Sequence, residues 1–542
     1  MIKKYGTFYA IKYYDIIPFI IISILLLTCN NHIFNIVCDI LRTTPNDEFY
    51  PFISLVYPFA LWGGYLYAFY SHFQTKNYLY YTGRNLGVDK AKFKRSYSEL
   101  LKYFKDAEPL KLDTTSFENE TWRETKGIIF GKDKEQLIKI PSDSECNIAV
   151  FGPPGSGKTA GLAIINAMTF DGSILAVDIK GDLYKYVSTH TERHIVRFCP
   201  DSPNALEESV RYNPFLGLSQ MNDTEKNLYL ESMATVLVPD TGGADGSYFV
   251  TRARKLFIGI TQLILAETPT VSFPDVIHAI LQGNVFDWVT KAINSDCIAA
   301  KEKLSSFYGN SEKNVAGAYD ALTTAIVHFS NPILDDLLSN RGHCISTETL
   351  EKGTDIYLQI SQEHLDVYAP LFTLIVQSLS TQFTKRPDKS SGTINRPVLM
   401  ILDEFPQLTF SYQLINSNLS TLRSKSVICL LIQQNLAQLE QRFQPTGARS
   451  ILGNCNYQVI LGSNDINSSK VFSETFGEMK VLKISNSKSF NSKQNTTGRS
   501  VQETTERVFP PESFGDLPSN NKMVVYFKGK YCKIDKLNCY KD

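Results

Sequence analysis

The segment 146–168, CNIAVFGPPGSGKTAGLAIINAM, limits the possible folds of this 542-residue chain more than any other stretch. A short apolar run precedes a loop of the pattern GxxxxGK[ST], and a helical pattern of small and apolar residues follows it. Between a strand and a helix, such glycines let backbone N–H groups turn toward bound phosphates at the helix N-terminus. The segment therefore predicts a strand–loop–helix unit that binds a nucleotide.

Two side chains of this phosphate loop have specific expected roles. Lys158 is expected to reach the β- and γ-phosphates of ATP, and the Thr159 hydroxyl is expected to ligate Mg²⁺. The predicted nucleotide-binding residues of the loop are Gly152, Pro153, Pro154, Gly155, Ser156, Gly157, Lys158, Thr159 and Ala160.

A second motif, far downstream, supplies the acidic residues that hydrolysis of ATP requires. The sequence RPVLMILDEFPQL, residues 396–408, predicts an apolar strand that ends in Asp403 and Glu404. Asp403 is expected to hold the Mg²⁺ ion, and Glu404 to orient or deprotonate the attacking water. A solvated acidic turn is the simpler interpretation of such a pair, but its combination with a phosphate loop favours hydrolysis.

The stretch between these two motifs is longer than a compact nucleotide-binding domain needs. It is rich in helical periodicity and poor in strand patterns, which predicts an all-helical insertion. Strand-like runs resume at residue 355, and their alternation with helices predicts an α/β fold with a parallel sheet. The predicted domains are a nucleotide-binding domain in two parts, residues 76–216 and 346–542, and a helical insertion at residues 217–345.

Residues 1–75 are predicted to form a membrane anchor with two transmembrane helices. Residues 16–38 and 52–70 contain no Asp, Glu, Lys or Arg, and each is long enough to cross a bilayer. A cleaved signal peptide is disfavoured, because no clear small-residue cleavage site follows the first segment. Lys3, Lys4 and Lys12 precede the first segment, and six basic residues follow the second between residues 76 and 95. The positive-inside rule then predicts that both termini and the main body are cytoplasmic.

Composition excludes several other classes of protein. The chain has 55 Lys and Arg against 55 Asp and Glu, whereas a freely diffusing DNA-coating protein carries a large positive excess. Its hydrophobic content of 43% is too high for a disordered chain. The ten cysteines include no CxxC pair, which argues against a zinc ribbon, a thioredoxin-type site and a secreted disulfide framework.

A basic region near the C-terminus is a candidate contact for nucleic acid. Residues 480–542 hold 12 Lys and Arg against 6 Asp and Glu. Within this region, ISNSKSFNSKQNTTGRS at 484–500 predicts a mobile loop, and residues 524–534 predict a β-hairpin around Lys528-Gly529-Lys530. A solvated hairpin is the favoured interpretation of these charges.

The ordered set of motifs resembles the type IV secretion coupling proteins, the VirD4/TraG family of conjugation ATPases. The resemblance rests on the two N-terminal spans, the phosphate loop and five further segments: LAVDIKGDL (175–183), RYNPF (211–215), LDEFPQL (402–408), LLIQQNLAQL (430–439) and RVFPPESFGDLP (507–518). It implies a RecA-like P-loop NTPase domain with an inserted all-helical domain. It also implies a hexameric ATPase at the bacterial inner membrane that passes relaxase-bound single-stranded DNA or effector proteins to the other inner-membrane components of a type IV secretion channel.

The same resemblance assigns further site residues. Asp178 and Lys180 are expected at a strand end beside the nucleotide, although Lys180 could instead be a charge at the start of a helix. Gln434 is expected to sense the γ-phosphate, with the neighbouring Gln433 as the alternative. Arg423 is the candidate arginine finger, acting across a subunit boundary, and an ordinary surface arginine is the alternative.

Two other functions stay open at this point. An FtsK-like DNA translocase shares the ATPase chemistry, but the short anchor and the large helical insertion disagree with it. A substrate receptor whose ATP site only drives assembly belongs to another class, and the intact Lys158, Asp403 and Glu404 count against it. Stimulation of ATP turnover by nucleic acid separates a motor from such a receptor.

Overall fold

The computed structural model of the chain describes residues 13–41, 43–45, 47, 49–85, 113–116, 122–133, 136–239, 244–342, 344–392, 394–491 and 494–541. Internal contacts divide the chain into two units. One comprises Met1–Glu108 with Gly477–Val508, and the other comprises Pro109–Phe476 with Phe509–Asp542. The second unit contains all the nucleotide motifs.

Strands and helices alternate along most of the chain. The strands are β1 (Asp113–Ser116), β2 (Ile128–Asp133), β3 (Gln136–Ile140), β4 (Ile148–Phe151), β5 (Ser173–Asp178), β6 (Ile195–Phe198), β7 (Asp355–Gln359), β8 (Val398–Leu402), β9 (Val427–Gln433), β10 (Tyr457–Ile460), β11 (Glu478–Asn491), β12 (Gln494–Arg507), β13 (Lys522–Phe527) and β14 (Lys530–Asp535). The α-helices are α1 (Tyr13–Leu41), α2 (Tyr50–Asn85), α3 (Ile164–Thr169), α4 (Asp182–His190), α5 (Ala205–Glu208), α6 (Asp223–Leu237), α7 (Ala244–Glu267), α8 (Phe273–Gln282), α9 (Val285–Asn294), α10 (Ile298–Leu304), α11 (Glu312–Ile326), α12 (Pro332–Leu337), α13 (Thr347–Glu351), α14 (Leu365–Phe383), α15 (Tyr412–Leu422), α16 (Leu436–Gly453) and α17 (Ile466–Phe476).

The second unit is built on one large mixed sheet, whose strand order is β1-β3-β2-β14-β13-β10-β4-β9-β8-β5-β7-β6. The part from β10 to β6 is parallel throughout. The strands on the other side of β10 pair antiparallel and extend the sheet. The predicted parallel sheet is therefore confirmed, and the antiparallel extension adds to it.

Continuous apolar sequence explains why the central strands are parallel and covered on both faces. Every residue of β8 (VLMIL) and of β9 (VICLLIQ) is buried. A strand that is buried on both faces needs apolar side chains at successive positions, and parallel sheets flanked by helices provide that environment. The phosphate-loop strand β4 lies between β9 and β10, with Phe151 opposite Gln433.

A long helical stretch separates β6 from β7. Helices α5 to α13 fill it, and α7 buries Ala253, Leu256, Phe257 and Ile260. Polar residues fix where several of these helices begin: Asn222 and Ser272 each form a capping box at the start of α6 and α8. This is the helical content that the sequence predicts for the insertion, while the boundaries at residues 217 and 345 stay predictions.

The first unit contains the two N-terminal helices. Among its described residues, no single helix is both long enough and apolar enough to cross a membrane, and one sharply bent pair, Ile22–Thr28 with Asn30–Leu41, meets those criteria only when the two parts are taken together. The two-span anchor stays a prediction. Lys3, Lys4, Lys12 and residues 90–95, which support its predicted orientation, lie outside the described residues.

Two hairpins occupy the basic C-terminal region. The predicted hairpin at 524–534 is present as β13 and β14, and the positive φ angles of Lys528 (47°) and Gly529 (79°) suit a tight two-residue turn. The predicted loop at 484–500 is wrong, because its described residues lie in β11 and β12, which pair from Glu478–Arg507 to Asn491–Gln494. A long antiparallel ladder satisfies backbone hydrogen bonds whatever the polarity of the side chains, so a Ser- and Asn-rich composition does not prevent it.

Candidate nucleotide site

The phosphate loop connects β4 to a helical segment that begins with a π turn at Thr159–Ala163 and continues as α3. Gly155 and Gly157 have φ angles of 75° and 94°, which residues with a Cβ rarely adopt. The Gly152 N–H donates to the Gln433 carbonyl at 3.2 Å, which ties the start of the loop to the end of β9. The loop is thus fixed at the carboxyl edge of the parallel strands.

Lys158 is the cation of this loop, and its side chain is only 8% exposed. Its Nζ donates to the Gly152 carbonyl at 2.7 Å and to the Pro153 carbonyl at 3.3 Å. Burial lowers the pKa of Lys158, while the nearby carboxylates of Glu404 and Asp403 act to raise that pKa. The structure therefore brings the predicted lysine and the predicted acidic pair together.

The acidic pair follows β8 on the same edge of the sheet, and both side chains are buried. Burial raises the pKa of Asp403 to about 6, with the neighbouring charges of Glu404 and Asp178 acting in the same direction. Glu404 has a left-handed backbone, with φ 48° and ψ 44°. Such a conformation costs about 1–2 kcal/mol for a residue other than glycine, and costs of this kind concentrate at functional sites.

The two candidate glutamines have different surroundings. Gln434 Nε2 donates to Glu404 Oε1 at 3.0 Å, whereas Glu404 Oε2 has no hydrogen-bond partner among the described residues. The Gln433 side chain is fully buried at the end of β9, and its amide oxygen and nitrogen are likewise unpaired within the described part of the chain. The geometry links Gln434 directly to the acidic pair, and the role of either glutamine stays a prediction.

Asp178 ends β5 and lies 1% exposed near the acidic pair. Its carboxylate accepts hydrogen bonds from the backbone N–H groups of Gly181 (3.0 Å) and Tyr184 (2.8 Å), at the first turn of α4. Burial raises the pKa of Asp178 to about 6, against the effect of these backbone hydrogen bonds. Lys180 is exposed, and its charge lowers the pKa of Lys158.

Arg423 lies apart from this cluster. It precedes β9, so it belongs to the amino edge of the parallel strands, whereas the phosphate loop and the acidic pair follow strand carboxyl ends. Its Nη1 donates to Asn456 Oδ1 at 3.2 Å, just before β10. Within one chain, the structure does not bring Arg423 to the phosphate loop.

Sequence reasoning missed Lys536, which follows β14. Its side chain is 7% exposed, and its Nζ donates to the Ser156 carbonyl of the phosphate loop at 2.9 Å. The surrounding sequence, KIDKL, shows only mixed charges of the kind that normally face solvent. The sequence therefore carries no signal that this lysine is buried against a loop far upstream.

The cluster offers oxygen ligands of the type that Mg²⁺ prefers, namely a hydroxyl and a carboxylate. Thr159 follows Lys158 in the loop, and Asp403 lies near enough to Lys158 for its carboxylate to raise the lysine pKa. The donor set therefore fits Mg²⁺. A buried glutamate oxygen without a partner also remains next to the loop, at Glu404. The arrangement can bind a nucleotide–metal complex and present a base to a water molecule.

These features define a P-loop nucleotide-binding protein with a RecA-like α/β sheet, in which β9 separates the phosphate-loop strand from the strand of the acidic pair. The comparisons with known proteins then give the family. The chain belongs to the family described as Type IV secretory system Conjugative DNA transfer, whose sequence profile matches residues 109–542. The expectation of a type IV secretion coupling protein is therefore confirmed.

Relatives with known names agree with this assignment. The chain is similar to Protein VirD4 of Agrobacterium fabrum (strain C58), with 24% identity over 432 residues, or 78% of this chain and 63% of VirD4. It is also similar to the conjugal transfer protein TraG of Escherichia coli, with 22% identity over 426 residues, or 71% of this chain and 65% of TraG. The chain thus spans somewhat less than two thirds of the length of these two relatives.

Solved structures agree on the fold. The bacterial conjugative coupling protein TrwB, lacking its first 70 residues, superimposes with a TM-score of 0.59 at 17% identity, covering 77% of this chain and 89% of TrwB. TrwB has also been solved with the non-hydrolysable ATP analogue ADPNP, with a TM-score of 0.57 at 17% identity and coverage of 79% and 92%. These likenesses confirm the RecA-like nucleotide-binding fold of this chain.

Proposed function

We propose that the chain is a membrane-anchored ATPase that couples relaxase-bound DNA, effector proteins or both to a type IV secretion channel. The observation that carries the proposal is that the Lys158 loop and the acidic pair Asp403 and Glu404 follow β4 and β8, the two strands on either side of β9, and that residues at the end of β9 hydrogen-bond to both. A site that only bound nucleotide would not need a buried carboxylate with an unpaired oxygen beside the phosphate loop. Glu404 supplies that carboxylate among the described residues.

Each residue of the cluster then has a role in binding or hydrolysis. Lys158 binds the β- and γ-phosphates, and leaves its present carbonyl partners in the loop to do so. Glu404 accepts a proton from the attacking water or orients that water, and Gln434, which already donates to Glu404, senses the γ-phosphate. Asp178 holds the first turn of α4 in place beside them.

Magnesium is the metal that this site would hold. Thr159 and Asp403 are the residues that would ligate it, and the bound ion would neutralise charge on the phosphates. TrwB has been solved with the ATP analogue ADPNP and, separately, with ADP and Mg²⁺, which supports ATP and Mg²⁺ as the ligands of this chain.

The proposed partners come from the family. The chain works as a homo-hexamer at the bacterial inner membrane, anchored by two N-terminal spans, beside the other inner-membrane components of the secretion channel. Its cargo is relaxase-bound single-stranded DNA, protein effectors or both. The family description of conjugative DNA transfer and the name of the TraG relative, a conjugal transfer protein, support DNA as a cargo and a role in type IV secretion. The hexamer and the membrane anchor follow from the sequence and its resemblance to the family.

A direct test is ATP turnover by the purified full-length chain, measured with and without single-stranded DNA at several protein concentrations. We expect turnover to rise with DNA and with protein concentration, because a motor of this kind completes its active site by assembly. Turnover that is absent, or that responds to neither variable, would contradict the motor. That result would favour a receptor whose ATP site only drives assembly.

Arg423 is proposed to complete the active site of a neighbouring subunit, since it lies at the opposite edge of its own sheet. We expect Arg423→Ala alone to lower turnover by about a thousandfold, the loss typical of an arginine finger. Mixing Arg423→Ala with Lys158→Ala chains should restore part of the activity, because some interfaces then combine an intact loop with an intact arginine.

The mixing experiment has a matched control. Lys158 and Glu404 act in the same subunit, so mixing Lys158→Ala with Glu404→Gln chains should restore nothing. ATP turnover measured across mixing ratios tests both expectations. Equal lack of recovery in the two mixtures would show that Arg423 does not act across a subunit boundary.

A further inference from the structure

Lys536 contacts a peptide unit at the centre of the phosphate loop. Its ammonium donates to the Ser156 carbonyl at 2.9 Å, and the N–H of that same peptide unit belongs to Gly157. The carbonyl and N–H of a trans peptide point in opposite directions. Lys536 and whatever the Gly157 N–H contacts therefore lie on opposite edges of this peptide unit.

A cation on a carbonyl strengthens the N–H of the same peptide as a donor, because hydrogen bonds in series polarise one another. Hydrogen bonds from charged donors are also stronger than those between neutral groups. When the Gly157 N–H faces a bound phosphate, the Lys536 ammonium reinforces that contact without touching the phosphate.

The charge of Lys536 lacks a counter-ion in the described structure. Its side chain is 7% exposed, and no carboxylate of the described residues lies within ion-pair distance of its ammonium. Burial lowers the pKa of Lys536 accordingly. Burying a charge without a partner has an unfavourable desolvation free energy, and an anion that binds nearby offsets part of it. The phosphate loop is where such an anion would bind.

The segment around Lys536 is held firmly against the loop. The Cys539 N–H donates to the Ala160 carbonyl at 3.1 Å, and the Cys539 carbonyl accepts from the Tyr186 hydroxyl at 2.6 Å. A Cβ on Gly161 would lie 2.7 Å from the Leu537 carbonyl oxygen, so this close approach requires glycine. These contacts fix the position of Lys536 relative to the loop.

We propose that Lys536 is a second positioning cation of the nucleotide site, which orients the Ser156–Gly157 peptide and adds positive charge behind the phosphate loop. The proposal rests on the proposed function, since it takes a nucleotide phosphate as the anion at this loop. Lys158 contacts the phosphates directly, whereas Lys536 acts through the loop backbone.

The test compares ADP binding by full-length Lys536→Met, Lys536→Arg and Lys533→Met chains, using a fluorescent ADP titrated at several salt concentrations. Lys533 is the control, because it is exposed on β14 three residues before Lys536. We expect Lys536→Met to weaken ADP binding about tenfold and to make that binding less sensitive to salt, since one cation near the phosphates is lost. Lys536→Arg should recover most of the affinity, and Lys533→Met should match the wild type.

Three results for the Lys536 variants would overturn the proposal. Wild-type affinity in Lys536→Met would show that the lysine has no role in binding. Weaker binding with an unchanged salt dependence, or weaker binding that Lys536→Arg does not recover, would show that the lysine only supports the fold. Thermal unfolding without nucleotide would then show that Lys536→Met is less stable than the wild type. Wild-type ADP binding by Lys158→Ala would instead show that the proposed nucleotide site is wrong, which distinguishes the two failures.

Discussion

Replacing Lys158 with alanine is expected to weaken ATP binding by about 3 kcal/mol, or more than a hundredfold in Kd, since it removes a buried charge from the phosphate site. The ammonium now donates to the Gly152 and Pro153 carbonyls, which shows that it can reach across the loop. A titration of full-length Lys158→Ala with a fluorescent ATP analogue measures the loss. ATP turnover by the same variant should be undetectable.

Lys185→Ala is a suitable control for this variant, because Lys185 is an exposed lysine on α4. Its affinity for ATP should equal that of the wild type. Thermal unfolding of both variants without nucleotide checks that the fold is retained. Near wild-type binding of ATP by Lys158→Ala would remove the basis for the nucleotide site at this loop.

Replacing Glu404 with glutamine is expected to lower ATP turnover at least a hundredfold while leaving ATP binding nearly unchanged, because the variant loses the base but keeps the shape of the side chain. The amide oxygen of the new side chain can still accept from Gln434, which lies 3.0 Å from Glu404 Oε1. Bound ATP should therefore persist. Single-turnover hydrolysis and retention of labelled ATP on the protein measure the two effects separately.

Glu302→Gln serves as the matched control for charge loss, since Glu302 is exposed on α10 within the helical stretch. Its turnover should equal that of the wild type. Normal hydrolysis by Glu404→Gln would mean that another group activates the water. Loss of both binding and turnover would indicate that Glu404 maintains the site instead of acting as a base.

Local patterns were enough to predict the parallel sheet and the two motifs at its edge. The apolar runs of β4, β8 and β9 each end at a polar or glycine-rich segment, and parallel strands bring such ends together. The sequence therefore predicted that Lys158, Asp403 and Glu404 would meet. The left-handed backbone of Glu404 was not predictable, because no glycine or asparagine marks that position.

Sequence patterns did not predict the contacts between segments that are far apart in the chain. Lys536 and Ser156 are 380 residues apart, and neither position carries a motif that refers to the other. The polar side chains at 484–500 led to the wrong prediction of a loop, because the backbone pairing of β11 and β12 decides the structure there. Asp178 was assigned by family resemblance alone, and its hydrogen bonds to the first turn of α4 emerge only from the folded chain.

The placement of β4 between β9 and β10 has a consequence for the order of events during synthesis. Both neighbours of β4 are encoded more than 250 residues after it, so the ribosome must complete the whole helical stretch before either neighbour exists. Contacts of such long sequence separation form slowly. The phosphate loop emerges early but stays without its flanking strands. A nascent chain is therefore expected to bind ATP only after β10 has left the ribosome.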